Sequence, residues 1–312
     1  MITITDLSNA WAAIVPQAGQ TIGRRADDSH PLDFFISYDE NHNMQMMLVS
    51  DHLPSVPASS VQIAVRANPR HDGKYALCFS LSDDSLKEQF VSLCWDMMDC
   101  TYHITSRASG VKKAIKRFCM WQKLFAEPKN KKLSDDEVKG LIGELCVLKQ
   151  IALPSYPEHT ALSGWIGPLG SDRDFEMAEK WLEVKAVSLS KDTVSISSLD
   201  QLDIDSDGEL CIVRIERASP DAIGSFSLNT LVKEIREGLE DWDSGTIFDS
   251  RIASAKYNPS DPRSDDTYML HEIEIYGVDQ DFPRIRRSQM PVGIANAKYE
   301  LSITGIQNWR KT

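Results

Sequence analysis

Short runs rich in apolar residues recur through residues 32–81, separated by polar, turn-forming segments such as DENHN, NPRHDGK and LSDD. This pattern is typical of short β-strands joined by turns. It predicts four strands, at residues 32–40, 44–50, 60–67 and 74–81. Apolar residues then recur every three or four positions, which predicts helices over 84–100 and 110–126. The segment EPKNKK that follows has the composition of a linker, so we predict a β-rich N-terminal module, residues 1–130, closed by two helices.

A further helix is predicted to begin at Ser134, because Glu137, three residues later, completes a capping-box pattern. Five apolar residues form the stripe of this helix: Val138, Leu141, Ile142, Leu145 and Leu148. Gly140 and Gly143 lie beside the stripe, and their lack of a side chain would let a strand approach closely.

The rest of the chain alternates predicted strands and helices. A loop rich in Pro and Gly covers residues 153–171, and a helix covers 228–242 with Trp242 among its inward residues. Strands are predicted around 173–177 and at 181–189, 210–217, 267–278 and 297–303. This order predicts an α/β (α+β) fold in which residues 131–245 form a core with a mixed sheet flanked by helices. Residues 246–312 are predicted to form a strand-rich α/β extension packed on that core.

Composition sets the broad class of the protein. The 312 residues are 42% apolar and 26% charged, as in an ordinary folded protein. The chain has no run of about 18 apolar residues, and its N-terminus lacks the basic region of a signal peptide, so we expect no membrane span. The six cysteines include no C-x-x-C pair and the seven histidines form no H-E-x-x-H motif, which argues against zinc. We therefore expect a cytoplasmic protein with reduced cysteines.

The net charge of −12 disfavours nucleic-acid binding, but the charge is unevenly distributed. Nine Lys or Arg and one acid lie between Arg107 and Lys132, so this segment carries +8 and the rest of the chain −20. One interpretation is a solvated helix face followed by a basic loop. The other is a patch that faces phosphates. Its candidate DNA-binding residues are Lys112, Lys113, Lys116 and Arg117.

Two charges interrupt the apolar strand WLEVKAVSL, residues 181–189. Glu183 and Lys185 are two positions apart, so a strand directs both side chains to one face. Two other Glu-x-Lys triplets, at 127–129 and 137–139, lie in the linker and at a helix start. Charges in a buried strand are costly unless they are paired or bound. We expect this pair at the solvent-facing end of a sheet; an ion pair on an exposed sheet edge is the alternative.

Two acids precede this strand. Asp174 lies nine residues before Glu183, and the turn AEK between their strands could bring the two side by side. Glu144 borders the buried stripe of the preceding helix. Three carboxylates and a lysine that converge on one sheet predict a site for a hard cation, because oxygen ligands suit Mg²⁺ or Mn²⁺.

Three segments, in this order, resemble the PD-(D/E)xK nuclease superfamily, whose members have a restriction-endonuclease-like fold. They are GLIGEL (140–145), SDRDFEM (171–177) and WLEVKA (181–186). The superfamily pattern is a helical Glu, an Asp, and then Glu-x-Lys on the following strand. Arg173 stands in place of the Pro of the name, a frequent departure in that superfamily. The resemblance covers residues 134–217.

The resemblance implies metal-dependent hydrolysis of phosphodiester bonds. Asp174 and Glu183 would be the principal ligands of Mg²⁺ or Mn²⁺, and Glu144 would ligate a second metal or hold a metal-bound water. Lys185 would orient or help deprotonate the attacking water and offset charge on the scissile phosphate. Gln201, in SSLDQL, resembles the polar residue that often follows this motif on the next helix.

The whole chain also resembles a bacterial family of PD-(D/E)xK proteins of similar length, encoded in defence gene clusters. Five segments carry this likeness: GLIGELCVL (140–148), WLEVKA (181–186), ISSLDQL (196–202), FPRI (282–285) and GIANAKYEL (293–301). It implies a DNA endonuclease of an anti-phage or restriction-type system, with helicase-like or methyltransferase subunits as partners and, by analogy, a homodimer. Two alternatives stay open: a catalytically silent nuclease-fold subunit that binds DNA or protein, and a nuclease activated by its partners.

Overall fold

The structure, a computed structural model, describes residues 2–15, 23–126 and 132–311, except for the side chains of 123–126. The chain divides into two compact units, Met1–Pro128 and Lys129–Thr312. Most of the predicted linker, residues 127–131, lies outside the described residues. In the described part of the chain, no helix has both the length and the apolar character needed to cross a membrane.

The first unit contains an antiparallel sheet with the strand order β1-β2-β3-β5-β4. Its strands are β1 (Arg24–Arg25), β2 (Phe34–Tyr38), β3 (Met44–Ser50), β4 (Ile63–Pro69) and β5 (Tyr75–Leu81). Its helices are α1 (Ile4–Ala12), α2 (Lys87–Asp99) and α3 (Arg107–Ala126). Strands β2 to β5 and helices α2 and α3 confirm the predicted elements. Helix α1 was not predicted; Thr3 caps it by accepting a hydrogen bond from the Asp6 N–H.

The second unit alternates helices and strands. Its helices are α4 (Asp135–Val147), α5 (Leu153–Ser155), α6 (Glu158–Gly164), α7 (Leu228–Gly238) and α8 (Trp242–Ser254). Its strands are β6 (Phe175–Glu176), β7 (Trp181–Val187), β8 (Thr193–Ile196), β9 (Gly208–Arg217), β10 (Phe226–Ser227), β11 (Thr267–Val278) and β12 (Tyr299–Ser302). The protein is thus of the mixed α/β (α+β) class, as predicted.

The main sheet of this unit has the strand order β10-β11-β9-β7-β6. Strands β7 and β9 run parallel, whereas the other neighbouring pairs are antiparallel. Strand β11 pairs with β9, and β12 pairs with β8 in a separate two-stranded sheet. Strand hydrogen bonds therefore join residues 246–312 to residues 131–245. The predicted domain boundaries stay a prediction.

Helix α4 packs against β7, and the predicted apolar stripe of this helix is buried. Ser134 and Glu137 form the predicted capping box, with the Glu137 N–H 3.2 Å from the Ser134 hydroxyl. A Cβ atom on Gly143 would lie 2.9 Å from the Cβ of Ala186 on β7, so the glycine is needed for the close approach. The same expectation for Gly140 was wrong, because a Cβ there would meet nothing within 4 Å.

Three predictions about the helices and loops of this unit were wrong. The helix predicted over 228–242 ends at Gly238, because Leu239 is extended and Asp241 caps a new helix, α8. Trp242 begins that second helix and is 71% exposed rather than inward. The loop predicted over 153–171 contains α6, whose last turn leads directly to the buried Trp165.

Candidate functional site

Asp174 and Glu183 lie side by side on the antiparallel hairpin of β6 and β7. Phe175 pairs with Leu182, so continuing the register places Asp174 opposite Glu183. The Val184 N–H donates a hydrogen bond of 2.7 Å to Asp174 Oδ2. The short turn between the strands therefore brings two acids together, as the sequence predicted.

Lys185 forms an ion pair with Glu183 on the same face of β7. Its Nζ lies 2.7 Å from Glu183 Oε1. Glu183 is only 1% exposed, so the expected position at a solvent-facing sheet end was wrong for this residue. The alternative, an ion pair on an exposed sheet edge, is also wrong, because the side chains of Lys185 and Glu183 are only 16% and 2% exposed. Glu183 Oε2 is buried and has no hydrogen-bond partner among the residues that the structure describes.

Gln201 joins this pair from the turn that follows β8. Its Oε1 accepts a hydrogen bond of 3.3 Å from Lys185 Nζ and one of 2.8 Å from the Ser197 N–H. Gln201 ends a single 3₁₀ turn, Leu199–Gln201, rather than lying on a longer helix. The contact to Lys185 brings Gln201 to the same cluster as the acids.

Glu144 reaches the cluster from α4. Its Oε2 accepts a hydrogen bond of 2.8 Å from the indole Nε1 of Trp165. A Cβ atom on Gly167 would lie 2.7 Å from Glu144 Oε2 and 2.9 Å from Asp174 Oδ1, so both carboxyl groups approach this one glycine. Sequence reasoning missed Trp165 and Gly167. A large aromatic residue between two glycines in GWIG was the available signal for a buried, tightly packed turn.

Burial raises the pKa of all three carboxyl groups, because loss of water disfavours their charged forms. For Glu144, the charge of Asp174 raises the pKa further, whereas the hydrogen bond from Trp165 lowers it, leaving it well above its usual range. For Glu183, Asp174 also raises the pKa and Lys185 opposes the rise, again leaving it well above that range. For Asp174, the Lys185 charge and the Val184 N–H partly offset the effect of burial on the pKa.

The described residues contain no three His, Cys, Asp or Glu side chains already gathered as a complete set of metal ligands. The donor set nevertheless fits a hard cation such as Mg²⁺ or Mn²⁺. Three carboxyl groups lie within the electrostatic influence of Lys185, Arg173 acts more weakly on Glu183, and Glu183 Oε2 is buried with no donor among the described residues. A divalent cation would supply the positive charge that this cluster lacks.

The candidate DNA-binding residues on α3 have different environments. Lys112, Lys113 and Lys116 are exposed. Arg117 is only 8% exposed, with Nη1 3.5 Å from a carboxylate oxygen of Asp96. The prediction of Arg117 as a phosphate contact is therefore corrected: its side chain belongs to a buried ion pair.

The search among curated proteins and the search among solved structures each found no match. A family model, in contrast, matches residues 7–304 and is described as "Putative PD-(D/E)XK family member, (DUF4420)". This match spans nearly the whole chain and confirms the resemblance to the PD-(D/E)xK superfamily that three sequence segments carried. The chain belongs to the DUF4420 family of PD-(D/E)XK proteins.

Proposed function

We propose that the protein is a DNA endonuclease that hydrolyses phosphodiester bonds with Mg²⁺ or Mn²⁺. One observation carries the proposal: Asp174 lies beside the Glu183-Val184-Lys185 triplet of β7. The chain that holds this arrangement belongs to the PD-(D/E)XK family. Glu144 and Gln201 contact the same cluster. A role in anti-phage or restriction-type defence is part of this proposal and rests on the sequence resemblance.

The three carboxylates would hold the cation. Asp174 and Glu183 are its principal candidate ligands, with Glu144 as the third or as the ligand of a second ion. A divalent cation in such a site supplies charge that stabilises the phosphoryl oxygens and makes bound water more acidic. The buried position of Glu183 keeps bulk water from weakening these interactions.

Lys185 would act on the reacting groups. Its ammonium group is held by Glu183 Oε1 and Gln201 Oε1, which fix it beside the acids. From there it would orient the attacking water and offset the negative charge that develops on the scissile phosphate. The same oxygen of Gln201 accepts a hydrogen bond from the Ser197 N–H, which holds it beside Lys185.

Replacing Lys185 with alanine is expected to slow cleavage about a hundredfold, because one positioned charge at the phosphate is lost. The assay follows nicking and linearisation of supercoiled plasmid in Mg²⁺ or Mn²⁺, and EDTA should stop the wild-type reaction. Lys191→Ala, at an exposed lysine of the same unit, is the matched control. Equal rates for wild type and Lys185→Ala would contradict the proposed role.

The exposed lysines of α3 are proposed to contact phosphates. Changing Lys112, Lys113 and Lys116 to glutamate is expected to weaken DNA binding, measured by fluorescence anisotropy in EDTA. The dependence of the binding constant on salt should become shallower by about 0.9 for each lysine that contacts a phosphate. Lys233→Glu, at an exposed lysine of α7, is the control. An unchanged salt dependence would show that these lysines form a solvated helix face and do not contact phosphates.

A second candidate function is a nuclease-fold subunit that is silent alone or active only with partner proteins. The charge of −20 outside residues 107–132 favours it, because an acidic body attracts DNA weakly. A wild-type protein that binds Mn²⁺ but leaves plasmid and phage DNA uncut would identify this function. Adding helicase-like or methyltransferase subunits would then distinguish a silent subunit from an activated one, and sedimentation would test the proposed homodimer.

A further inference from the structure

Trp165 is a fully buried residue whose ring is held from two sides. It stacks near Phe175 of β6, with ring centroids 6.4 Å apart and an interplanar angle of 19°. It also stacks near Phe248 of α8, at 6.1 Å and 29°. Backbone pairing between Trp165 and Phe175 fixes the main chain as well. The direction of the indole N–H is therefore set by the packing of the second unit.

That N–H points to an acid of the proposed site. Indole can only donate a hydrogen bond, and here it donates to Glu144 Oε2 at 2.8 Å. The two following residues contact the other acid: the N–H groups of Ile166 and Gly167 donate to the main-chain carbonyl of Asp174 at 2.8 and 2.9 Å. Gly167 also leaves room for both carboxyl groups. Residues 165–167 thus touch the acid from α4 and the acid from the β6–β7 hairpin.

We infer that Trp165 is a positioning residue that fixes the Glu144 carboxylate, and with it the spacing between Glu144 and Asp174, for a divalent cation. The inference rests on the proposed function. A glutamate side chain has several torsions, about which the Glu144 carboxyl group could rotate away from Asp174. The hydrogen bond from a rigid ring opposes that rotation. Groups that hold a metal ligand in place in this way generally contribute about 10- to 100-fold to metal affinity.

The test is a calorimetric titration of Mn²⁺ into the full-length protein. Trp165→Phe keeps an aromatic ring and removes the N–H, and Mn²⁺ affinity is expected to fall about tenfold. Trp242→Phe makes the same chemical change at a tryptophan that is 71% exposed, and it should bind Mn²⁺ like wild type. A second variant carries 3-benzothienylalanine at position 165, which keeps the bicyclic shape with sulfur in place of the N–H. It should reproduce the loss and covers the case in which Trp165→Phe fails to fold.

A double-mutant cycle tells positioning from a general loss of structure. If Trp165 acts through Glu144, Trp165→Phe should change Mn²⁺ affinity little once Glu144→Gln is present. Equal losses in both backgrounds would overturn the inference, as would wild-type affinity in the benzothienylalanine variant. If the wild type binds Mn²⁺ through Asp174 while the Trp165 variants behave normally, only this inference fails. If the wild type binds no Mn²⁺, the proposed function fails and the inference fails with it.

Discussion

Asp174→Asn is expected to slow DNA cleavage about a thousandfold. The amide matches the carboxylate in size, and its oxygen can still accept the hydrogen bond from the Val184 N–H. It lacks the negative charge that makes a carboxylate a stronger ligand for a hard cation than a neutral amide oxygen. The variant should therefore keep its fold and lose both cation binding and cleavage. Initial rates of plasmid cleavage, compared across a range of Mg²⁺ concentrations, measure the loss.

Asp172→Asn provides the matched control for this variant. Asp172 lies two residues earlier, in the same SDRD segment, and its side chain is exposed. We expect its cleavage rate to equal that of wild type. A similar loss in both variants would indicate a general effect of charge, and a fully active Asp174→Asn would remove Asp174 from the site.

The metal-free protein is expected to lose stability as the pH rises above the ordinary pKa of its carboxyl groups. The pKa of Glu144, Asp174 and Glu183 is raised in the folded state, mainly by burial. Above the ordinary pKa of a glutamic acid, near 4.5, the folded protein therefore holds protons that the unfolded chain has released. That stabilisation is complete at low pH and is lost as the pH rises through the folded-state pKa of each group. The free energy of unfolding should fall by at most about 1.4 kcal/mol per pH unit for each such carboxyl.

Carboxyl groups with a lowered pKa have the opposite dependence and do not mask this effect. Glu209, held by Lys180 and Lys311, and Glu274, held by Arg214, are examples. Their stabilisation is present above the ordinary pKa and is lost only as the pH falls through a lower value. Above pH 5, these two groups therefore add no slope to the dependence of stability on pH, and the comparison with Glu183→Gln isolates the contribution of that buried acid.

The measurement is urea unfolding in EDTA at several pH values between 5 and 8.5. Glu183→Gln removes one of the buried acids and should make the decline of unfolding free energy with pH shallower. Glu179→Gln, at an exposed position before β7, should leave the decline unchanged. Mn²⁺ should stabilise the wild type more at pH 8 than at pH 5.5, because protons compete with the cation for the same oxygens. A stability that rises with pH in both proteins would contradict the assignment.

Features that depend on neighbouring residues were predictable from the sequence. The short apolar-rich runs and the turn residues between them located β2 to β5, and the stripe from Val138 to Leu148 located the buried face of α4. The period of two along a strand placed Glu183 and Lys185 on one face. The short turn before β7 brought Asp174 opposite Glu183. Each of these inferences uses geometry that a few consecutive residues determine.

Features that depend on distant contacts were not predictable in this way. Trp165 and Gly167 approach Glu144 only because α4 and the β6–β7 hairpin meet there. The burial of Glu183 likewise depends on elements packed around β7. Arg117 was predicted to be a solvent-facing cation because its ion-pair partner, Asp96, lies on another helix and is not evident from the local sequence. Trp242 was predicted to face inward because the apolar spacing continues past Leu239. The spacing does not reveal that the helix ends there.

The central claim is that Glu144, Asp174 and Glu183 bind a divalent cation, and its most direct test is Mn²⁺ binding measured by calorimetry. Purified wild-type protein at pH 8 is predicted to bind Mn²⁺. Asp174→Asn should bind it at least about tenfold more weakly, while Asp172→Asn should match wild type. Absence of binding in the wild type, or equal affinity in wild type and Asp174→Asn, would contradict the claim.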